Sequence, residues 1–193
     1  HVPNPLEDKN VVEIKAKTQE LNADIGIAID GDADRVFFID NKGRNPSGVY
    51  TGAIFAKQLL KNNSGESIIQ DPRLTWPISK EVISAGGKPI ETKAGHSFFK
   101  GAMRENNSIF GAEMSSHFFY RDFYFADSGM MTIVYMIKFL SEGLDFDEEL
   151  DYLYSTYPNS GEVNYKVANN AEIIKKVEEA YKDATIKKID GVS

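Results

Sequence analysis

Short apolar runs alternate with helical patterns along most of the chain, a rhythm that predicts an α/β protein. Residues 25–29 form an unbroken apolar run, which predicts a strand buried on both faces. Further strands are predicted at 36–39, 67–70, 88–92 and 108–111. Helices are predicted at 11–21, 51–61, 77–85, 97–105, 127–140 and 146–153.

Two of these helices carry more specific expectations. Thr51 is the predicted N-cap of the helix at 51–61, because its hydroxyl can accept a hydrogen bond from the first turn. The helix at 127–140 is apolar on several faces, so we expect it to be central and buried. Residues 157–161 have the composition of a linker, and the tail beyond them predicts a strand near 163–167 and a helix at 171–181.

Composition narrows the class of protein. The 193 residues carry 22 basic and 29 acidic side chains, a net charge of −7, with no block of basic residues, which disfavours nucleic-acid binding. No apolar run approaches the ~18–20 residues of a membrane span, so we expect no membrane segment. The absence of cysteine excludes disulfides and thiolate metal sites and predicts a cytoplasmic protein.

The sharpest chemical signal follows the first predicted strand, where residues 30–35 read Asp-Gly-Asp-Ala-Asp-Arg. Asp30, Asp32 and Asp34 recur at every second position with small residues between them, so their carboxylates can converge on one hard cation. Mg²⁺ prefers oxygen ligands and keeps positions open for water and a phosphate oxygen. Arg35 beside them has a planar fork suited to phosphate. The alternative is a solvated acidic turn.

Two other kinds of acidic site fit this loop less well. An EF-hand counted from Asp30 needs Gly at the sixth position and Glu at the twelfth, where the chain has Arg35 and Asn41. A phosphatase of the haloacid dehalogenase type needs an Asp-x-Thr spacing, and Asp34 stands where that Thr belongs. The residues therefore favour a magnesium loop over both.

Two further polar clusters follow predicted strands, at the strand ends where open α/β sheets bind ligands. Residues 92–97 read Thr-Lys-Ala-Gly-His-Ser, and residues 113–117 read Glu-Met-Ser-Ser-His. In an extended segment Glu113, Ser115 and His117 would project from one face, where they could bind sugar hydroxyls or move a proton. A purely structural role for each histidine is the alternative.

Arg73 and a run of aromatic residues complete the set of candidates. Residues 71–75 read Asp-Pro-Arg-Leu-Thr, which is consistent with a ligand contact or with an ordinary proline turn that carries a solvated Arg73. The aromatic side chains between 118 and 125 favour packing under the helix at 127–140 over stacking on a sugar.

Taken together, in this order and spacing, the clusters resemble the α-D-phosphohexomutases, the phosphomannomutase/phosphoglucomutase family, and most of all its bacterial phosphomannomutases. The loop at 30–35 is similar to the family's magnesium loop, residues 93–97 to its third-domain turn, and residues 111–117 to its sugar-recognition loop. The resemblance covers essentially the whole chain. It implies mixed-sheet α/β/α layers, followed by the start of a separate C-terminal α+β domain.

The resemblance also implies domain boundaries and an activity. Residues 1–45 correspond to the end of the family's second domain, 46–156 to its third domain, and 157–193 to the start of its fourth. The family moves phosphate between the 6- and 1-positions of a hexose through a phosphoserine and a bisphosphorylated sugar. The implied magnesium ligands are Asp30, Asp32 and Asp34; the implied catalytic residues are Arg35, Arg73, His96 and His117; the implied substrate-binding residues are Gly95, Glu113, Ser115 and His117.

Two features qualify what we expect of this chain. Arg73 stands where many relatives carry Lys, and since arginine is very hard to deprotonate, we expect it to act as an electrostatic clamp. The family's phosphoserine motif and its fourth-domain phosphate-binding loop do not occur in the sequence, so we expect a fragment that does not turn over alone.

The expected activity of the intact protein is that of a phosphomannomutase acting on mannose 1- and 6-phosphate with Mg²⁺. A phosphoglucomutase or dual-specificity mutase, acting also on glucose 1- and 6-phosphate, is an alternative. A non-catalytic module that binds a metal or a sugar phosphate is an alternative of another class. The sequence leaves the oligomeric state open.

Overall fold

The structure is a computed structural model that describes residues 3–161, 163 and 165–190. Seven α-helices, two short 3-10 helices and seven strands are assigned in this part of the chain. The helices are α1 (Val12–Glu20), α2 (Gly48–Leu60), α3 (Trp76–Ser84), α4 (His96–Glu105), α5 (Gly129–Ser141), α6 (Phe146–Thr156) and α7 (Asn170–Ala180). The strands are β1 (Gly26–Ile29), β2 (Val36–Ile39), β3 (Ser67–Gln70), β4 (Lys88–Glu91), β5 (Phe110–Ala112), β6 (Phe118–Tyr120) and β7 (Ala126–Asp127).

The strands form two sheets. β1 and β2 make an antiparallel pair, in which Gly26 lies opposite Ile39 and Ile29 opposite Val36. The larger sheet has the order β4-β3-β5-β6-β7, with β3 parallel to both β4 and β5. β6 pairs antiparallel with β5 and with β7, so the sheet is mixed, and the predicted mixed α/β class is confirmed.

A backbone bridge joins the two sheets. Arg35, just before β2, forms an isolated antiparallel bridge with His117, just before β6. The backbone N–H of Val36 donates a hydrogen bond to the carbonyl of Ser116, at 3.3 Å. The loop that leaves β1 therefore lies against the turn that connects β5 with β6.

The core is built around α2, which is buried along almost its entire length. The Phe55 ring stacks on the rings of Phe110 and Phe118 and meets Phe139 of α5 edge to face. Burial of a side chain of this size contributes about 2–3 kcal/mol. Aromatic residues 118–120 are thus core residues, as expected from the sequence, whereas Phe123 and Tyr124 are exposed, so the expectation of core packing is wrong for these two.

Three sequence-based expectations about burial and capping are wrong. Strand β1 is not buried on both faces, since Ile29 is 44% exposed and β1 pairs with β2 alone among the described residues. Helix α2 begins before Thr51, at Gly48, and Thr51 lies buried inside the helix because its neighbours pack closely there. Helix α5 exposes Met130, Val134 and Ile137, because only its opposite side contacts the core.

Two strands were not predicted, and the tail is only partly described. β6 and β7 are short and come from an aromatic segment without alternation, so no period-2 signal identifies them. The predicted strand near 163–167 includes residues 162 and 164, which lie outside the described residues, and residues 163 and 165–167 have no strand. Helix α7 confirms the predicted helix of the tail, whereas the separate C-terminal domain stays a prediction.

Among the described residues no helix is both long and apolar enough to cross a membrane.

Candidate active site

The acidic loop at residues 30–34 connects β1 to β2. The backbone N–H of Asp30 donates to the carbonyl of Arg35 at 3.4 Å, which closes the loop at its base. Ala33 adopts a left-handed conformation with φ 61°, and Gly129 at the start of α5 lies so close to it that a Cβ at Gly129 would sit 2.4 Å from the Ala33 carbonyl oxygen. The loop thus folds back on itself and packs against the start of α5.

This fold brings one oxygen of each of the carboxylates Asp30, Asp32 and Asp34 within 4.8 Å of the others. Asp30 is buried, and Arg35 donates to its two oxygens from Nε at 2.6 Å and from the backbone N–H at 3.2 Å. Burial acts to raise the pKa of Asp30, but these hydrogen bonds and the Arg35 charge outweigh it, and the pKa lies below its usual value. Arg35 is therefore bound to the loop itself.

Asp34 has the opposite electrostatic environment. Burial raises the pKa of Asp34, the nearby carboxylates Asp30, Asp32 and Asp127 raise it further, and His117 opposes them. Oxygen Oδ1 of Asp34 is buried and accepts no hydrogen bond from the described residues, and Arg35 Nε stays 3.9 Å away. A hard cation would satisfy this oxygen and offset the repulsion, so the three carboxylates fit Mg²⁺.

The turn at residues 113–117 carries the second group of polar side chains. It is a tight turn rather than the expected extended segment: the N–H of Glu113 donates to the carbonyl of His117 at 3.0 Å, and Ser116 has φ 69°. The three side chains still meet, because His117 Nδ1 lies 2.9 Å from Glu113 Oε2 and 2.8 Å from Ser115 Oγ. The expectation of an extended backbone at 113–117 is therefore wrong, although the three side chains cluster.

Glu113 is a buried carboxylate with several donors. Burial acts to raise its pKa, but hydrogen bonds from His117, Ser115 and the Gly95 N–H, together with the charge of His117, outweigh burial, and the pKa lies below its usual value. The Gly95 N–H donates to Oε1 at 2.9 Å. Since an ionised carboxylate only accepts hydrogen bonds, Nδ1 of His117 carries the proton that it shares with Glu113.

Gly95 and His96 begin α4 and complete the site. Gly95 has φ 112°, a conformation that side chains rarely adopt. The ring of His96 meets that of His117 edge to face, with centroids 4.4 Å apart, and His117 Nε2 lies 3.5 Å from Asp34 Oδ2. The acidic loop, the turn at 92–97 and the turn at 113–117, which lie far apart in the sequence, thus meet at one place.

Two residues of this region were not assigned a role from the sequence. Asp127 lies 3.3 Å from His96 Nδ1 and 2.8 Å from Lys100 Nζ. Burial acts to raise the pKa of Asp127, but Lys100 and His96 contribute to lowering it below its usual value. Lys100 follows His96 by one helical turn, a spacing that could have identified it, whereas Asp127 belongs to a strand without a sequence signal.

Arg73 lies on the loop after β3 and pairs with the buried Asp71, both through Nη2 and through Nε, which is 2.9 Å from Oδ1. Oxygen Oδ2 of Asp71 also accepts the N–H of Met114 at 3.2 Å. Arg73 thus connects to the turn at 113–117 through Asp71. It also lines a cavity of about 380 Å³ with Leu74, Met114 and residues 158–161.

Comparison with known proteins identifies the family. Residues 47–157 match the model of the phosphoglucomutase/phosphomannomutase α/β/α domain III, and residues 1–43 match that of domain II. The chain belongs to the phosphoglucomutase/phosphomannomutase family. The phosphohexomutase type of fold expected from the sequence is therefore confirmed, and the matched domain III contains the turns at 92–97 and 113–117.

Individual relatives support this family membership. The chain is 37% identical over its whole length to a protein named "Phosphohexose mutases" from Xanthomonas campestris pv. campestris and 36% identical to a phosphomannomutase of Escherichia coli K12. A crystal structure of a phosphoglucomutase/phosphomannomutase family protein from Burkholderia thailandensis superimposes with a TM-score of 0.83 at 30% identity, covering all of this chain and 42% of that one. The chain spans 44% and 43% of the lengths of the Xanthomonas and Escherichia proteins.

Proposed function

We propose that this chain supplies the metal loop and the sugar-recognition turn of a phosphomannomutase, an isomerase that interconverts hexose 6-phosphate and hexose 1-phosphate. The observation that carries the proposal is the convergence of Asp34, His96 and His117 from three separate segments of the chain. Phosphomannomutase relatives at 36–38% identity over the whole chain support mannose phosphates as substrates. Phosphoryl transfer depends mainly on positioning and charge stabilisation, which such a meeting of segments provides.

The acidic loop would hold Mg²⁺ through Asp30, Asp32 and Asp34. Bound there, the ion would stabilise the negative charge of the phosphoryl group during its transfer. Arg35 keeps Asp30 ionised and oriented through two hydrogen bonds, and its remaining guanidinium nitrogens are suited to a phosphate oxygen.

The turn at 113–117 would bind the sugar. The Glu113 carboxylate and the Ser115 hydroxyl are suited to hexose hydroxyls, and the N–H of Gly95 orients Glu113. Because Nδ1 of His117 carries a proton toward Glu113, Nε2 is the nitrogen that accepts or returns a proton. His96 positions the His117 ring, and Arg73 acts as a fixed positive charge beside the turn.

In domain terms, residues 1–45 would form the end of domain two, residues 46–156 domain three and residues 157–193 the start of domain four. The 193 residues contain neither the phosphoserine motif nor the fourth-domain phosphate loop of the family, so the chain by itself would not turn over. We assign the chain to the cytoplasm on its lack of cysteine and of an apolar span.

A dual-specificity mutase is the second candidate, because the Xanthomonas relative is named for phosphohexoses in general. The experiment that separates the candidates assays the complete gene product on mannose 1-phosphate and glucose 1-phosphate with coupled detection of the 6-phosphates. A clear preference for mannose supports the proposal, and equal or higher rates on glucose replace it with the alternative. Absence of isomerisation with both sugars, with magnesium binding retained, would instead indicate a binding module.

The matched variants for this assay lie on either side of β1. Asp32→Asn should lower kcat by about 100-fold or more, since it removes a negative oxygen from the magnesium ligands. Asp24→Asn, an exposed carboxylate just before β1, should leave kcat unchanged. Equal activity of both variants would contradict the assignment of the loop.

A further inference from the structure

A second group of metal-ligating side chains overlaps the acidic loop. One ligand atom each of Asp34, His96 and His117 lies within 4.8 Å of the others. The donor set differs from that of the loop, because two of its three ligands are imidazole nitrogens. Magnesium takes oxygen ligands almost exclusively, whereas zinc and cobalt bind imidazole well.

Each histidine has a carboxylate near its Nδ1 atom. Nδ1 of His117 lies 2.9 Å from the Glu113 carboxylate, and Nδ1 of His96 lies 3.3 Å from the Asp127 carboxylate. A carboxylate at one ring nitrogen fixes the tautomer and raises the basicity of the other, which is then the metal ligand. The hydrogen bond between Nδ1 of His117 and Glu113 thus leaves Nε2 as the ligand nitrogen of His117, and the Asp127 carboxylate near Nδ1 of His96 would favour the same choice in that ring.

The third ligand also has the required position. Oδ2 of Asp34 lies 3.5 Å from Nε2 of His117, close to the separation of about 3.3 Å between ligands of a tetrahedral zinc ion with bonds near 2.0 Å. Oδ1 of the same carboxylate is buried and accepts no hydrogen bond from the described residues. The charge of Lys100 is directed to Asp127, 2.8 Å away, where it balances the outer carboxylate.

We propose that Asp34, His96 and His117 form a second cation site that takes borderline divalent ions of the zinc class, with a fourth position open to solvent or ligand. Two histidines and one carboxylate are the ligand set of an open zinc site. The site itself does not rest on the proposed mutase activity. One consequence does: because Asp34 belongs to both sites, zinc bound to the histidines would compete with Mg²⁺ in the acidic loop.

The test is a metal titration of the 193-residue chain, with Zn²⁺ by calorimetry and with Co²⁺ by visible absorption. We expect one zinc ion per chain and the intense absorption bands of four-coordinate cobalt. His96→Ala, at a partly exposed position, should weaken zinc binding at least 10-fold and abolish the cobalt bands. Asp127→Asn should weaken zinc binding by about 10-fold, since the partner carboxylate of His96 is lost.

The matched control is Asp32→Asn, which removes a carboxylate of the acidic loop that is absent from the histidine site. It should leave zinc affinity within about threefold of the original while weakening Mg²⁺ binding. Unchanged zinc affinity in His96→Ala, or an equal loss in Asp32→Asn and His96→Ala, would overturn the proposal and place the ion in the acidic loop. His117→Ala, checked for folding by circular dichroism, gives an independent second measurement. Loss of mutase activity without any change in zinc affinity would bear only on the proposed function.

Discussion

Arg35 and His117 pair across a backbone bridge that joins the two sheets of the protein. Their side chains serve the two halves of the site: Arg35 binds Asp30 of the acidic loop, and His117 binds Glu113 of the sugar-recognition turn. The bridge therefore sets the distance between the metal loop and the turn through rigid backbone. Such positioning is a large part of what phosphoryl transfer requires, since misplacement by about 1 Å can cost 100-fold in rate.

Gly48 should be essential for the shape of the turn at 113–117. A Cβ at this position would lie 2.2 Å from the carbonyl oxygen of Glu113 and 2.7 Å from the N–H nitrogen of Ser116, both backbone atoms with little freedom to move. We expect Gly48→Ala to lower the free energy of unfolding by about 1–3 kcal/mol. Gly101→Ala in α4, where the added Cβ meets no atom within 4 Å, should instead stabilise by about 0.5–1 kcal/mol. Denaturant unfolding of both variants measures these changes. Equal changes in unfolding free energy would contradict the close contact between Gly48 and the turn at 113–117.

Arg73 should stabilise the fold through Asp71. Asp71 is fully buried, so Arg73→Ala leaves a buried carboxylate with weaker compensation, and we expect a loss of about 1–3 kcal/mol in unfolding free energy. Adding Asp71→Asn to this variant should recover part of the loss, because the amide still accepts the Met114 N–H without carrying a charge. A double variant whose stability equals the sum of the single losses would show that the two side chains are not coupled.

Glu113 should determine the tautomer of His117. In the original protein the Nδ1 proton of His117 faces an ionised carboxylate, whose pKa is lowered despite burial by hydrogen bonds from its neighbours. Glu113→Gln replaces this acceptor with an amide, and we expect the Nδ1–H form to lose its dominance in long-range ¹H–¹⁵N spectra. In the complete mutase kcat should fall about 10- to 100-fold. Exposed Glu105→Gln at the end of α4 is the control, and an unchanged His117 spectrum in Glu113→Gln would refute the assignment.

Alkaline pH should destabilise the contact between α2 and α6. Burial raises the pKa of Tyr154 to about 12, and the neighbouring Tyr50, whose ring centroid lies 4.6 Å away, adds to the effect. Because the folded state favours the neutral phenol, the stabilisation is complete below pH 10 and is lost as the pH rises toward 12. Unfolding measured at pH 8, 10 and 11 should show a smaller loss for Tyr154→Phe than for the original protein. Tyr165→Phe, at an exposed position, should lose as much stability at high pH as the unsubstituted protein does. An identical dependence of stability on pH in all three proteins would contradict the prediction.

The local sequence was sufficient to predict the structural features that depend on neighbours along the chain. Helices α3, α4 and α6 and strands β2 and β3 lie within a few residues of their predicted bounds, because periodicity and helix-breaking residues are local properties. The acidic loop was equally clear, since three carboxylates spaced by small residues need only one short turn to meet. The family, too, was recognisable from motifs of four to six consecutive residues.

Tertiary structure alone decided what depends on residues distant in the chain. Ile29 and one face of α5 are exposed because the other described elements do not fully cover them. The hydrophobicity of the sequence does not show which elements pack together. Asp127 enters the site because β7 pairs with β6, and a two-residue strand has no sequence signal. The sequence thus determined the chemical groups of this phosphohexomutase chain. Only packing between segments decided which groups meet, because burial and distance arise from the whole fold.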